Sequence, residues 1–294
     1  MGDLWDWIQE EIRNSVPDSS WINEVYSKLF DDISFEVKAF LGASHNTSFG
    51  DCVANMKEEE LKVFKKRLLV LNKKRGDKLR YRVKMTRLEG ICELCSAHIR
   101  NLFEMMEGKF HGELEEYLEK VRRLCLYGLN VEHDDEDVDY DSIIKVKWFD
   151  RTFHGRFLFL QSSLLLSFKQ SLCKCLALNY GFKRIMGNVG EMINRSKNSF
   201  VRFYKTETMH FANIIIQREY KLHGVEKYIF NASPHEKGCI VCGGLDKSMF
   251  KVSDILVGAN YPTMHPRCDC LTRPSLYLPN EKTFEEWEKL VFVK

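Results

Sequence analysis

Apolar residues recur every three or four positions along this chain from its start to about Leu222, and the pattern is lost afterwards. Such a period places apolar side chains on one face of a helix, so it predicts amphipathic α-helices that pack against one another. In the first half of the chain, proline occurs only at Pro17, so helices there can run without interruption. The chain is therefore predicted to be mainly α, with a helical N-terminal domain, a helical bundle and a small C-terminal α+β module.

Length and charge exclude several classes of protein. A chain of 294 residues with 44% apolar side chains can bury a core in one or two domains. The formal net charge of +2 argues against a dedicated nucleic-acid coat, which would be strongly basic. The longest apolar stretch, Phe157 to Phe168, is too short to cross a bilayer, and the N-terminus lacks the pattern of a signal peptide. We expect a soluble protein that stays where it is made.

Changes in charge and apolar pattern divide the chain into segments. Glu132 to Asp141 carries seven acidic side chains in ten residues, which is typical of a solvated linker or exposed loop. Gly224 stands where the last helix should stop, and the short β-like run Tyr228–Phe230 follows it. We predict the following divisions: an N-terminal helical domain (1–131), an acidic linker (132–145), a helical region (146–223), a Cys/His module (224–276) and a C-terminal tail (277–294).

The most specific chemical signal is a cluster of cysteine and histidine in the Gly- and Pro-rich C-terminal module. Cys239 and Cys242 are separated by two residues, and after 22 more residues come His265, Cys268 and Cys270. Two turns with this spacing can complete a tetrahedron of thiolates and imidazole, which suits Zn²⁺. We predict a structural zinc ion held by Cys239, Cys242, His265 and Cys268, with Cys270 as the alternative ligand. Packed thiols beside a surface histidine are the alternative interpretation.

The remaining cysteines are predicted to be structural. Cys92 and Cys95 lie on the apolar stripe of a helix, three residues apart and followed by His98, and free cysteine packs well as a small hydrophobic residue. Cys173 and Cys175 cannot share one helical face at a spacing of two. We therefore expect core packing at these positions, not a second metal site.

An ordered set of motifs over about residues 146–276 resembles the phage head-morphogenesis, or minor capsid, family typified by the F protein of phage Mu. The set begins in a helix with Lys205, Thr206 and Glu207, where the family has an Arg-Thr-Glu-Thr-like motif. It continues with the Cys-x2-Cys pair, a Leu-Asp-Gly-like turn at Asp246, and a His-Pro-x-Cys-x-Cys ending at Cys270. The resemblance identifies these residues as the family motif.

The resemblance implies a non-enzymatic structural protein of the virion. Such a protein would be made in the host cytoplasm and would join the portal vertex or capsid interior during head assembly, with a role in DNA packaging or ejection. Its partners would be the portal protein and the inner capsid. Read from the residues alone, Glu207 favours a structural ion pair with Arg202 or Lys205.

A basic segment from Lys62 to Arg87 holds twelve basic residues and one acidic residue, Asp77. Apolar residues at helical spacing allow one face to pack while the other projects cations toward the phosphates of duplex DNA, without sequence preference. The candidate DNA contacts are Lys65, Lys66, Lys73, Lys74 and Arg75. A solvated helix face, or a partner for the acidic segment, would explain the same charges.

Two other functions compete with virion assembly. A zinc-stabilised nucleic-acid-binding protein unrelated to capsids would explain the basic segment and the Cys/His pairs. A metal-dependent nuclease would need an open coordination position and a nearby general base, and four soft ligands argue against both.

Overall fold

The computed structural model describes residues 4–42, 49–79, 81–134, 136–148, 150–234, 239–276 and 283–292. This part of the chain is mainly α-helical, as predicted, with three short strands near the C-terminus. The helices are α1 (Leu4–Asn14), α2 (Trp21–Gly42), α3 (Phe49–Val53), α4 (Glu58–Leu71), α5 (Lys73–Leu79), α6 (Arg87–Gly128), α7 (Tyr140–Ile144), α8 (Phe153–Ala177), α9 (Phe182–Leu222), α10 (Ile240–Leu245) and α11 (Phe284–Phe292). The strands are β1 (Lys227–Asn231), β2 (Met249–Lys251) and β3 (Leu271–Pro274).

Local hydrogen bonds set several helix starts. At the start of α6, the Glu89 carboxylate accepts from the Thr86 backbone N–H at 2.8 Å, and the Glu89 N–H donates to the Thr86 hydroxyl at 3.1 Å. Thr283 and Glu286 form the same reciprocal pair before α11. These capping boxes satisfy backbone donors that a helix start leaves without intrahelical partners.

The chain forms two compact units. The first contains residues 1–18, 110–153 and 202–294, and the second contains residues 19–109 and 154–201. These divisions differ from the predicted ones, because the N-terminal helix α1 belongs with the Cys/His module and not with the helices that follow it.

The first unit is built around the C-terminal part of α9 and a three-stranded antiparallel sheet in the order β2-β1-β3. Tyr228 pairs with Phe250 on one side and with Pro274 on the other, so β1 is the central strand. Helix α1 contacts the sheet edge, because the buried Gln9 donates its side-chain N–H to the Thr272 carbonyl at 3.2 Å.

The second unit buries two apolar groups. One contains the apolar face of α4 with parts of α5 and α6, as its members Phe64, Leu68 and Leu94 show. The other is aromatic: the ring of Phe200 lies edge-on to those of Phe103 and Phe157, with centroids 6.1 and 5.5 Å away. Offset edge-to-face rings of this kind add to the stabilisation from burial.

The two long helices run through internal glycines. Helix α6 continues through Gly112, and α9 continues through Gly187 and Gly190. Glycine does not end α6, because the apolar face continues on both sides and packing outweighs the local cost of about 1 kcal/mol. Gly224, with φ of +68°, does follow the end of α9 as predicted.

The acidic segment and the tail are more ordered than expected. Much of the acidic segment is exposed, but Tyr140–Ile144 forms α7, and Asp134 is buried in an ion pair with Arg122 at 2.5 Å. The predicted tail contains α11, whose Trp287 is buried and donates to the Val131 carbonyl at 2.7 Å. Charge patterning does not indicate either contact. The Asp134–Arg122 pair spans 12 positions, and the Trp287–Val131 hydrogen bond spans 156 positions and involves no charge.

Among the described residues, no helix is both long and apolar enough to span a membrane.

Candidate metal centre

Two short segments bring the five predicted donors together in the first unit. Cys239 lies at the N-cap of α10 and Cys242 lies one turn further, so both thiols are on one side of a tight turn. His265, Cys268 and Cys270 lie in the loop that leads into β3. The 22 residues between Cys242 and His265 include β2. Cys242 and Cys268 nevertheless pack together beside Phe230 of β1, so the two predicted halves of the site meet.

Three of the six distances among the four predicted donor atoms match the edges of a tetrahedral site. The Nε2 atom of His265 lies 3.5 Å from the Cys239 sulfur and 3.2 Å from the Cys242 sulfur. The sulfurs of Cys242 and Cys268 are 3.9 Å apart. With Zn–S of about 2.3 Å and Zn–N of about 2.0 Å, tetrahedral geometry requires edges of roughly 3.8 Å for two sulfurs and 3.5 Å for sulfur and nitrogen. The cluster can therefore hold a metal ion.

The donors form two overlapping groups of three that share Cys242. One contains Cys239, Cys242 and His265, and the other contains Cys242, Cys268 and Cys270; within each group all donor atoms lie within 4.8 Å of one another. Both candidates for the fourth ligand thus lie beside Cys242. The choice of Cys268 over Cys270 stays a prediction.

Hydrogen bonding favours thiolates at two of these positions, although burial opposes them. Hydrogen bonds from the backbone of Cys242 and Val241 lower the pKa of Cys239. A hydrogen bond from the Cys270 thiol, with further bonds from backbone groups, lowers the pKa of Cys268 to about 6. Burial and the neighbouring Cys268 raise the pKa of Cys242. A thiolate is the form that ligates a metal, so the site is prepared at Cys239 and Cys268.

The cluster is also the core of its module. Cys242, Cys268 and Cys270 are buried together with Phe230 and Ala232 from the end of β1. Several other apolar side chains of this module are exposed, among them Ile240, Leu256 and Leu276. A metal ion would therefore stabilise a module whose apolar core is small.

Two of the four residues that carry the resemblance, Thr206 and Asp246, make hydrogen bonds within this module. The Thr206 hydroxyl on α9 accepts a hydrogen bond from the Arg267 backbone N–H at 2.9 Å, within the loop that carries His265 and Cys268. The Asp246 carboxylate accepts from the Ala232 N–H at 3.0 Å and so ties the turn after α10 to the end of β1. Thr206 and Asp246 thus position the two donor segments.

The other two motif residues do not donate to the cluster in this way. Lys205 is exposed on α9 and Glu207 is buried on the same helix. Glu207 is only 2% exposed, so its carboxylate lies inside the protein and not on the surface. Its ion pair with Arg202 or Lys205 stays a prediction.

Sequence reasoning missed two residues that hold the donor loop. Arg13 on α1 donates from Nε to the backbone carbonyl of Asp269 at 3.1 Å, between Cys268 and Cys270. Asn213 on α9 donates to the Cys270 carbonyl at 3.2 Å. No sequence signal marks either residue, because each acts on a backbone group more than fifty positions away.

Two arginines of the basic segment are held in ion pairs and are not available to an external partner. The segment is not one helix: it covers most of α4, all of α5 and a non-helical stretch over 81–86. Arg75 donates to both carboxylate oxygens of Glu93, at 2.7 and 2.9 Å, and Arg67 donates to the buried Glu36 at 2.8 Å. Of the candidate DNA contacts, Lys66, Lys73 and Lys74 are exposed, Lys65 is partly buried, and Arg75 is held in an ion pair.

The helical cysteines lie in the second unit. Cys92 and Cys95 are buried on α6, and His98 contacts Glu36 at 3.1 Å. Cys173 on α8 hydrogen-bonds with Cys92, and burial raises the pKa of Cys92 to about 12. The burial of Cys92 and Cys95 on α6 agrees with the core packing predicted for these cysteines.

No family model matches the chain, and no curated protein or solved structure matches it either.

Proposed function

We propose that this chain is a zinc-stabilised structural protein of a phage head, and that it acts at or near the portal in assembly and in packaging or ejection of DNA. The observation that carries the proposal is the hydrogen bond from the Arg267 amide to the Thr206 hydroxyl. It joins the helical part of the family motif to the Cys/His ending. Residues that resemble the family in sequence order thus act together in one structural unit.

Zinc is the metal that best fits the donors. Thiolate and imidazole are soft to borderline ligands, and the distances between them match the edges of a small tetrahedron. A set of three cysteines and one histidine fills all four positions, which leaves none for an activated water. This supports a structural role and argues against a metal-dependent nuclease.

Metal content tests the zinc proposal. The variant Cys242→Ser removes the donor that both groups share, so the purified chain should lose its one equivalent of zinc and the fold of the module, while the helices of the second unit keep their circular dichroism. The matched control Cys173→Ser changes a partly buried cysteine on α8 and should retain the metal. Zinc retained at one equivalent by Cys242→Ser would contradict the proposal.

Particle composition tests the assembly proposal. Particles purified from cells that carry the gene should contain the chain at low copy number, detected by mass spectrometry, and it should co-purify with the portal ring. A matched preparation with the gene deleted controls for contaminants. Intact particles that lack the chain would refute the role in the virion without affecting the zinc site.

Contact with duplex DNA is a second proposed property. The exposed positions of Lys66, Lys73 and Lys74 support it. Each phosphate contact contributes about −0.9 to the slope of log affinity against log salt, so changing these three lysines to glutamine should reduce that slope by up to about 2.7. An unchanged slope would show that these lysines form a solvated surface. Arg75 is left intact, since its loss would leave Glu93 without its bidentate partner.

A further inference from the structure

A pocket of about 340 Å³ lies in the second unit, lined by residues of α5, α6 and α8. Lys74 and Lys78 lie one turn apart on α5, and the pocket also contains Arg100 of α6 and the amide side chains of Asn72 and Gln161. Ammonium, guanidinium and amide groups that converge on a concave surface can supply several donors to one anion.

One guanidinium nitrogen of Arg100 is buried, although the side chain as a whole is 28% exposed. Within the described part of the chain this Nη1 atom makes no hydrogen bond, and its ion-pair partner, the Glu93 carboxylate, is 3.9 Å away. Glu93 already accepts two hydrogen bonds from Arg75, and Lys169 lies 3.7 Å from its other side. Three cations therefore share one carboxylate, and a buried donor without an acceptor is costly.

The charges around the pocket leave a positive excess. Four lysines and arginines line the pocket, namely Lys74, Arg75, Lys78 and Arg100, and Lys169 lies beside it. Against these five stand three carboxylates, those of Glu93, Glu104 and Glu107, and the last accepts a hydrogen bond from His154. The difference of two positive charges balances a phosphate monoester dianion and exceeds the single negative charge of a DNA phosphodiester.

We propose that this pocket binds a phosphate group, with Arg100 and the two lysines of α5 as its main ligands. The group can belong to the backbone of DNA or to a small phosphorylated molecule. Guanidinium and ammonium donors bind the oxygens of either one by charge-assisted hydrogen bonds. The site goes beyond the general backbone contact proposed for the basic segment, because it is a pocket and includes residues of α6 and α8.

The test measures binding of inorganic phosphate and of a 20-base-pair duplex to the full chain. The variant Lys74→Gln/Lys78→Gln changes exposed side chains and should fold, and Arg100→Met removes the partly buried guanidinium. The matched control Lys38→Gln/Lys183→Gln removes the same charge from two exposed lysines that do not line the pocket. We expect both pocket variants to bind phosphate about tenfold more weakly than the wild type, and the control to bind it equally well.

The duplex arm identifies the source of the phosphate. Because Lys74 also belongs to the proposed DNA contact, the variant that decides is Arg100→Met: a parallel loss of its duplex affinity indicates the DNA backbone, and unchanged duplex affinity indicates a small phosphorylated ligand. The proposal fails if the wild type binds no inorganic phosphate, or if the pocket variants bind it as well as the control. Such a failure leaves the particle and zinc experiments unaffected, so it is distinguishable from a failure of the proposed function.

Discussion

Replacing Arg122 by methionine is expected to destabilise the first unit strongly. Arg122 on α6 is 3% exposed and contacts Asp134 of the acidic segment at 2.5 Å and Glu219 of α9 at 3.4 Å. Glu219 is fully buried, and its other neighbours are the Arg218 guanidinium at 2.5 Å and the His223 imidazole at 3.4 Å. Arg122 thus joins two helices and the acidic segment through one guanidinium.

The size of the effect follows from burial. Removing one member of a buried ion pair costs about 3–5 kcal/mol, because the remaining carboxylates stay buried without their partner. For a domain of 150–250 residues, 1 kcal/mol shifts the melting temperature by about 2–4 °C. The variant should therefore melt roughly 6–20 °C below the wild type.

The neighbouring Arg123 provides the matched control. It has the same chemistry and contacts Glu119 at 2.7 Å and Glu288 at 3.0 Å, but it is 33% exposed. Solvent screens these pairs, so Arg123→Met should cost less than about 1 kcal/mol. Thermal unfolding followed by circular dichroism compares the two variants. Equal shifts for Arg122→Met and Arg123→Met would refute the argument from burial.

Three further predictions concern single residues. Cys270→Ser should retain zinc and Cys268→Ser should lose it, as measured by metal analysis; the reverse result would make Cys270 the fourth ligand. Gly128→Ala should destabilise the chain by about 1–3 kcal/mol in urea unfolding, because a Cβ atom there would lie 2.7 Å from the Trp5 ring; an unchanged midpoint would show that the indole moves aside. Burial alone would raise the pKa of Glu93, but hydrogen bonds from its arginine partner and nearby cations hold it below the usual value. Its stabilisation is therefore fully present above about pH 4.3 and is lost as the pH falls through the lowered pKa, so Glu93→Gln should be most destabilising at pH 7 and less so as the pH falls; a loss of stability that does not shrink at low pH would exclude the ion pair as the cause.

Local sequence is sufficient for the type of most elements and for the donor set of the candidate metal centre. The period of three to four residues up to Leu222 is a property of local side-chain order, so the helices follow from it. The spacing of Cys239 from Cys242 is also local, because one helical turn carries both thiols. His265 and Cys268 repeat that spacing, and their residue types are sufficient to indicate zinc.

Which distant residues form ion pairs depends on the tertiary structure. The composition of the acidic segment predicts that it is solvated. In the structure, however, the Asp134 carboxylate pairs with Arg122 of the preceding helix, and its side chain is only 7% exposed. Arg75 reads as a cation available to DNA, yet it is bound to Glu93, eighteen positions further on. Neither partner can be derived from charge patterning, because pairing depends on how helices pack.

The supports of the metal centre show the same division. Its donors are marked by residue type, whereas Arg13 and Asn213 act on backbone carbonyls of the donor loop and carry no signature of that role. Any residue with an N–H donor can bind a carbonyl, so its position in the fold determines the role. Composition and spacing thus specify which atoms can hold a metal, and long-range packing specifies what holds those atoms in place.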